Sequence, residues 1–152
     1  MKWFQKSIVA LFLLMACHSA RERNMVEQRQ MFASFVKEQY QYEVQPGDVF
    51  ILIPRLICKG CVQMKLIQLE EMLASDTLEH TRIITSNPGI VSDSLEQRIV
   101  VWKDKEGWLD RVNLHIANMT MVHIGPDGNF LIRSIPTTDN QHVKVWLEMP
   151  DK

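Results

Sequence analysis

Two cysteines separated by two residues, Cys58 and Cys61, are the pair whose types and spacing most directly indicate chemistry. If a helix begins here, side chains three positions apart lie on one side of its first turn, close enough to form a disulfide. A Cys58 sulfur at the helix N-cap would face unpaired backbone N–H groups, which stabilise a thiolate, and Lys59 adds positive charge. Cys61, one turn inside, is expected to be more buried. The expected chemistry is thiol–disulfide exchange, with attack by Cys58 and resolution by Cys61.

Two other interpretations of this pair remain open. A static disulfide has the same geometry, although it closes a very short loop and therefore gains little stability through chain entropy. A metal site needs further ligands, such as His115 or His123, but the histidines have no paired ligand spacing and no second cysteine pair exists. A c-type haem requires a histidine directly after the second cysteine, where this chain has Val62. We therefore predict no cofactor and no bound metal.

The N-terminus has the layout of an export signal. Residues 1–6 carry two lysines and no acidic residue, and residues 8–16 form an unbroken apolar run that ends at Cys17. Such a run makes a helix of about 15 Å, half the hydrocarbon thickness of a bilayer, which disfavours a permanent transmembrane span. The sequence Leu-Met-Ala-Cys at 14–17 resembles the bacterial lipoprotein box, which implies that Cys17 is acylated and begins the mature chain. We therefore expect a lipoprotein signal peptide over residues 1–16 and a membrane-held protein.

Length and charge exclude several other classes of protein. The 152 residues fit one domain of ordinary size, and 46% hydrophobic with 23% charged residues is typical of a folded chain rather than a disordered one. The formal net charge is −1, and no run of basic residues occurs along the chain. Nucleic acid is therefore not expected as a partner, because binding to it depends on neutralising phosphates.

The hydrophobic pattern predicts a tether and helix over residues 17–45, which the lipoprotein-box resemblance implies to be lipid-anchored, and an α/β domain over residues 46–152. Apolar side chains at 25, 32, 35 and 36 indicate an amphipathic helix. The later elements comprise strands, helices and one hairpin: a strand at 49–53 buried on both faces, a helix from the cysteine pair to residue 74, a strand at 81–85, a short helix at 93–96 capped by Asp93, a hairpin of 120–124 with 129–134 around the Gly-Pro-Asp-Gly turn at 125–128, and a final helix from about 140. Residues 98–116 show no clear element, and 104–106 are predicted to form a solvated turn.

From Val49 to Met149, the order of these elements resembles the thioredoxin-like superfamily, specifically the membrane-anchored thiol-disulfide oxidoreductases and related lipoproteins of bacterial envelopes. In that family a buried strand leads to Cys-x-x-Cys on a helix, and a later hairpin and helix complete the sheet. The resemblance implies a central mixed sheet flanked by helices, with Cys58 as nucleophile and Cys61 as resolving thiol. It also implies protein thiols or disulfides as substrates and a lipid-anchored location, facing the periplasm or the cell surface.

The sequence departs from this family at positions around the cysteines. Ile57 replaces the usual aromatic residue, and no proline occurs where the family has a cis-proline opposite the cysteines. Met119 most nearly takes its place, and we expect a trans bond there because a non-proline cis bond costs about 3 kcal/mol. Asn118, Met119 and Thr120 are the expected substrate-binding segment. The alternative hypotheses are a non-catalytic thioredoxin-fold binding lipoprotein and a metal-binding cysteine pair.

Overall fold

The structure, a computed structural model, describes residues 26–73, 80–87, 89–111, 118–137 and 142–143. The chain divides into two compact units, with the boundary between Glu43 and Val44. The predicted signal peptide and the predicted lipidation site at Cys17 lie outside the described residues. Within the described ranges, no helix is both long enough and apolar enough to cross a membrane.

The first unit contains a helix, α1, which is described over residues 26–40. Its predicted apolar face is confirmed, because Phe32, Phe35 and Val36 are all buried. The helix ends at Gln41, which has a φ of 53° and donates its backbone N–H to the carbonyl of Lys37 at 3.0 Å. Lys37 in the last turn of α1 forms a hydrogen bond and ion pair with Glu43, with Lys37 Nζ 2.8 Å from Glu43 Oε1. This contact raises the pKa of Lys37 and lowers that of Glu43.

The second unit is a mixed α/β fold in which helices flank a five-stranded sheet, as predicted. Its elements follow the chain in this order: β1 (Val49–Ile53), α2 (Lys59–Leu73), β2 (Thr81–Thr85), α3 (Asp93–Glu96), β3 (Val100–Lys103), α4 (Trp108–Arg111), β4 (Thr120–Ile124) and β5 (Phe130–Ser134). The strand order across the sheet is β3-β2-β1-β4-β5. The first three strands are parallel, whereas β4 runs antiparallel to both β1 and β5.

Strand β1 lies at the centre of this sheet. Its residues pair with β2 on one edge, where Val49 lies opposite Thr81, and with β4 on the other, where Leu52 lies opposite Thr120. Four of its five residues are buried, which confirms the predicted burial on both faces. Because side chains alternate along a strand, Ile51 and Ile53 point into the cluster packed by α2, and Phe50 lies on the opposite face.

Three local predictions need correction. Ser92, not Asp93, caps α3, because the Ser92 hydroxyl accepts a hydrogen bond from the Leu95 N–H. Within the range that sequence patterns left unassigned, the structure forms β3 and α4; β3 is a four-residue edge strand without a fully buried residue, so its hydrophobic signal is weak. Asp104, predicted to lie in a solvated turn, is 6% exposed. The predicted final helix lies mostly outside the described residues, although Val143 is buried as expected.

A buried ion pair fastens the amino-terminal ends of β1 and β2. Asp48 is 1% exposed and accepts hydrogen bonds from the Arg82 guanidinium and from the Gln45 N–H, both at 2.7 Å. Arg82 also donates to the carbonyl of His80 and lies over the Phe50 ring, 5.9 Å from its centre. This carboxylate therefore holds a turn and a neighbouring strand in place.

Removal of this carboxylate should destabilise the fold. We expect Asp48→Ala to lower the free energy of unfolding by about 3 kcal/mol, because it removes the buried negative charge paired with the largely buried Arg82 guanidinium and the acceptor of the Gln45 N–H. Urea denaturation followed by circular dichroism measures the change. The matched control is Glu43→Ala, which removes a carboxylate from a solvent-exposed pair and should leave the denaturation midpoint unchanged. Equal effects of the two substitutions would contradict this role of Asp48.

Candidate functional site: the Cys58–Cys61 pair

The two cysteines form a disulfide at the start of α2, with their Cα atoms 5.4 Å apart. The carbonyl of Cys58 accepts the first helical hydrogen bond, from the Val62 N–H at 3.1 Å, which makes Cys58 the N-cap residue. Its Sγ accepts a second hydrogen bond, from the Cys61 N–H at 3.4 Å. A sulfur therefore takes the place that a serine or aspartate oxygen usually occupies at a helix N-cap.

The two cysteine residues differ in their exposure. Cys58 is exposed, whereas Cys61 is half-buried one turn inside the helix. The residues on either side of Cys58 also differ: Ile57 packs partly against the core, whereas Lys59 is exposed. An incoming sulfur consequently has access to Cys58 before Cys61.

Helix α2 holds the pair because its inner face is buried in the core. Val62, Leu66 and Leu69 follow the cysteines at helical spacing, and all three are buried within the cluster that also contains Ile51 and Ile53 of β1. A lysine also lies on a buried part of this helix: Lys65, four residues after Cys61, is 2% exposed. Sequence patterns gave no warning of it, because lysine is almost always placed at the surface.

The topology brings the predicted substrate-binding segment to the carboxyl-terminal end of β1, the end from which the chain continues to the disulfide. Thr120 begins β4 opposite Leu52, so Asn118 and Met119 lie beside the end of β1 from which the chain continues to Cys58. Among the described residues no peptide bond is cis, in line with the trans bond expected at Met119. Met119 and Thr120 are buried, and Asn118 is exposed. Of the three, only Asn118 offers its side chain to solvent.

Two aspartates that were not predicted as site residues organise the loops at this end of the sheet. Asp104, directly after β3, accepts hydrogen bonds from the Ser86 hydroxyl at 2.7 Å and from the backbone N–H groups of Trp108 and Leu109 at 2.9 and 2.8 Å. Asp110 accepts a hydrogen bond from the Arg55 N–H at 3.1 Å. No sequence signal marks Asp104, because the short helix α4, whose N–H groups it accepts, is not predicted from the sequence.

The arrangement of the described residues gives little support for a metal centre. Among them, no group of three or more histidine, cysteine, aspartate or glutamate side chains converges as ligands would. His123 pairs with Val49 at the start of β1, whereas the cysteines follow the end of β1. This histidine therefore lies at the opposite end of the strand. His115 lies outside the described residues.

Searches for similar proteins among protein-family models, curated proteins and solved structures returned no match.

The difference in exposure predicts unequal reactivity of the two thiols after reduction. A limiting amount of iodoacetamide at mildly acidic pH should modify Cys58 faster than Cys61, by on the order of tenfold, because the free N–H groups of the helix terminus stabilise its thiolate. Peptide mapping after brief alkylation measures the ratio. Cys61→Ser should retain the fast thiol, and Cys58→Ser should leave the slow one. Equal rates, each matching a free cysteine with a pKa of about 8.5, would show that the helix does not activate Cys58.

Proposed function

We propose that this protein is a lipoprotein of the bacterial cell envelope whose thioredoxin-like domain exchanges disulfides with protein substrates through Cys58 and Cys61. The observation that carries the proposal is the disulfide itself. Cys58 is exposed and is the N-cap of a helix, and Cys61 is half-buried in the same turn. This combination of access and thiolate stabilisation is what exchange chemistry requires.

The order of the strands supports the thioredoxin-like assignment. A buried central strand leads into the Cys-x-x-Cys helix, a parallel strand follows on one side, and an antiparallel hairpin lies on the other. The buried strand, the helix with the cysteines and the later hairpin are elements that the family resemblance predicts, in this order, whereas its final helix lies mostly outside the described residues. Strand β3 extends the sheet beyond them as a further parallel edge.

The proposed reaction proceeds through a mixed disulfide. With the pair reduced, the Cys58 thiolate attacks a substrate disulfide; one substrate sulfur leaves as a thiolate and takes up a proton from water. The Cys61 thiolate then attacks Cys58 Sγ, which releases the second substrate thiolate and forms the intramolecular disulfide. Two electrons pass from the protein to the substrate. In the opposite direction, a substrate dithiol supplies the two electrons and its thiolate attacks Cys58 first.

The proposed envelope location depends on the N-terminal sequence. The basic residues, the short apolar run and the Leu-Met-Ala-Cys sequence together support export and acylation at Cys17. An anchored protein of this kind meets exported protein thiols and disulfides, the substrates that exchange requires. Stable disulfides are also found mainly in such oxidising compartments.

A second candidate function is non-catalytic binding by a domain of the same fold. The segment opposite the disulfide favours it, because the carbonyl of Met119 already accepts the Ile135 N–H at 2.7 Å and that of Asn118 accepts the Thr120 hydroxyl at 3.0 Å. These two oxygens have protein partners within the fold, and two of the three side chains are buried. Such a segment offers a substrate peptide fewer free groups than an open loop would.

A redox titration separates the two candidates. The exchange proposal predicts a reversible two-electron couple between about −270 and −120 mV, together with turnover of a protein disulfide substrate. Cys58→Ser should abolish turnover. Cys61→Ser should instead accumulate mixed disulfides that run as higher-mass bands on a non-reducing gel, because no thiol remains to resolve them. Cellular function that survives replacement of both cysteines by serine would favour non-catalytic binding.

Mass spectrometry tests the proposed anchor. We expect the protein extracted from bacterial membranes to begin at Cys17 and to carry the added mass of several acyl chains. Cys17→Ser should remove this mass and retain an uncleaved N-terminus. The control is Cys61→Ser, which also removes one cysteine but should leave acylation unchanged. An unmodified Cys17 in the mature protein would overturn the lipoprotein assignment.

A further inference from the structure

The loop that leads to the disulfide is tied to a residue 52 positions after Cys58 in the sequence. Arg55 is the second residue after β1, and its backbone N–H donates to Asp110 Oδ1 of α4 at 3.1 Å. The second carboxylate oxygen of Asp110 lies 3.9 Å from Arg55 Nε. One carboxylate thus contacts both the main chain and the side chain of Arg55, three residues before Cys58.

The turn before α4 accommodates this contact closely. Gly107 has a φ of 65°, and a Cβ built on it would lie 3.4 Å from Arg55 Nη2 and 3.5 Å from an Asp110 carboxylate oxygen. The guanidinium and the carboxylate therefore pass directly beside the bare backbone of this glycine. Glycine also adopts a positive φ without the strain that other residues incur there.

The Asp110 carboxylate is itself held by the sheet. Asp104 follows β3 and binds the N–H groups of Trp108 and Leu109, which are the first two residues of α4. It also accepts the hydroxyl of Ser86, which follows β2. A continuous set of hydrogen bonds therefore connects the ends of β2 and β3, through α4, to the loop between β1 and the disulfide.

We propose that Asp110 is a positioning residue for the Cys58–Cys61 pair, acting through the backbone of Arg55. When the disulfide is reduced, the loop before Cys58 loses a covalent restraint. A carboxylate that still holds the Arg55 N–H limits the conformations of this loop to those that keep Cys58 at the helix N-cap, close to Cys61. The effective concentration of one thiol toward the other is then higher than in a free loop, so the disulfide is harder to reduce. This inference rests on the proposed exchange function for its role in the cell.

The equilibrium between the disulfide and glutathione measures this effect without any protein substrate. Asp110→Ala should make the pair about fivefold easier to reduce, which raises its potential by about 20 mV. Asp110→Leu, which keeps the bulk of the side chain without an acceptor, should give the same shift. Asp110→Asn should restore the equilibrium to within twofold, because its amide oxygen can still accept the Arg55 N–H. Arg55→Ala should also remain within twofold, since it keeps the backbone donor.

Glu106→Ala is the matched control, because Glu106 is an exposed carboxylate in the turn that precedes α4. It should change the equilibrium by less than twofold. Thermal unfolding of each variant, oxidised and reduced, shows whether the fold is retained, and the Leu and Asn variants decide the matter if Asp110→Ala does not fold. An equilibrium unaffected by both Asp110→Ala and Asp110→Leu, or a shift of the same size in Asp110→Asn, would overturn the proposal. Failure of substrate turnover would overturn the exchange function alone, because the glutathione equilibrium is measured in its absence.

Discussion

The double burial of β1 is the constraint on which the rest of the second unit depends. The strand is hydrogen-bonded on both edges and packed on both faces, so its register is strongly specified: a slip of one residue would exchange the side chains of the two faces. The chain has to leave the sheet at Pro54, and the helix begins five residues later at Lys59. The site of the cysteine pair follows from this short connection between a fixed strand and a helix whose inner face is buried.

The disulfide lies where a rigid element meets solvent. Its helix is anchored by Val62, Leu66 and Leu69, while Cys58 itself is exposed at the N-cap. Exchange chemistry benefits from this combination, because the attacking sulfur must be accessible while the resolving sulfur stays within reach. The hydrogen bond from the Cys61 N–H to Cys58 Sγ links the two requirements, since an N–H group of the first helical turn is also the one that would stabilise negative charge on the sulfur after reduction.

The two ends of the three parallel strands are held by different interactions. At the amino-terminal end, the Asp48–Arg82 ion pair is largely buried and joins the neighbouring strands β1 and β2. At the carboxyl-terminal end, Asp104 and Asp110 accept mainly backbone N–H groups of the first turn of α4 and of the loop after β1, which the sheet cannot satisfy. The second arrangement fixes loop conformation rather than strand pairing. It therefore acts at the end of the sheet where the Asn118–Thr120 segment lies and from which the chain continues to the cysteines.

The sequence by itself determined the elements with a strong local signal. The predicted bounds of three strands agree with β1, β2 and β4, because short runs rich in β-branched residues and a Gly-Pro-Asp-Gly turn each favour one local structure. The N-cap position of Cys58 also follows from its place between a strand and a helical pattern. Tertiary structure alone decided which strands flank β1, the edge strand β3, the burial of Lys65 and the roles of Asp104 and Asp110. The physical reason is that these features depend on groups distant in sequence. Asp110 becomes an acceptor for Arg55 because three parallel strands bring their carboxyl-terminal ends to one side of the fold, and no local sequence pattern indicates that the two residues are close.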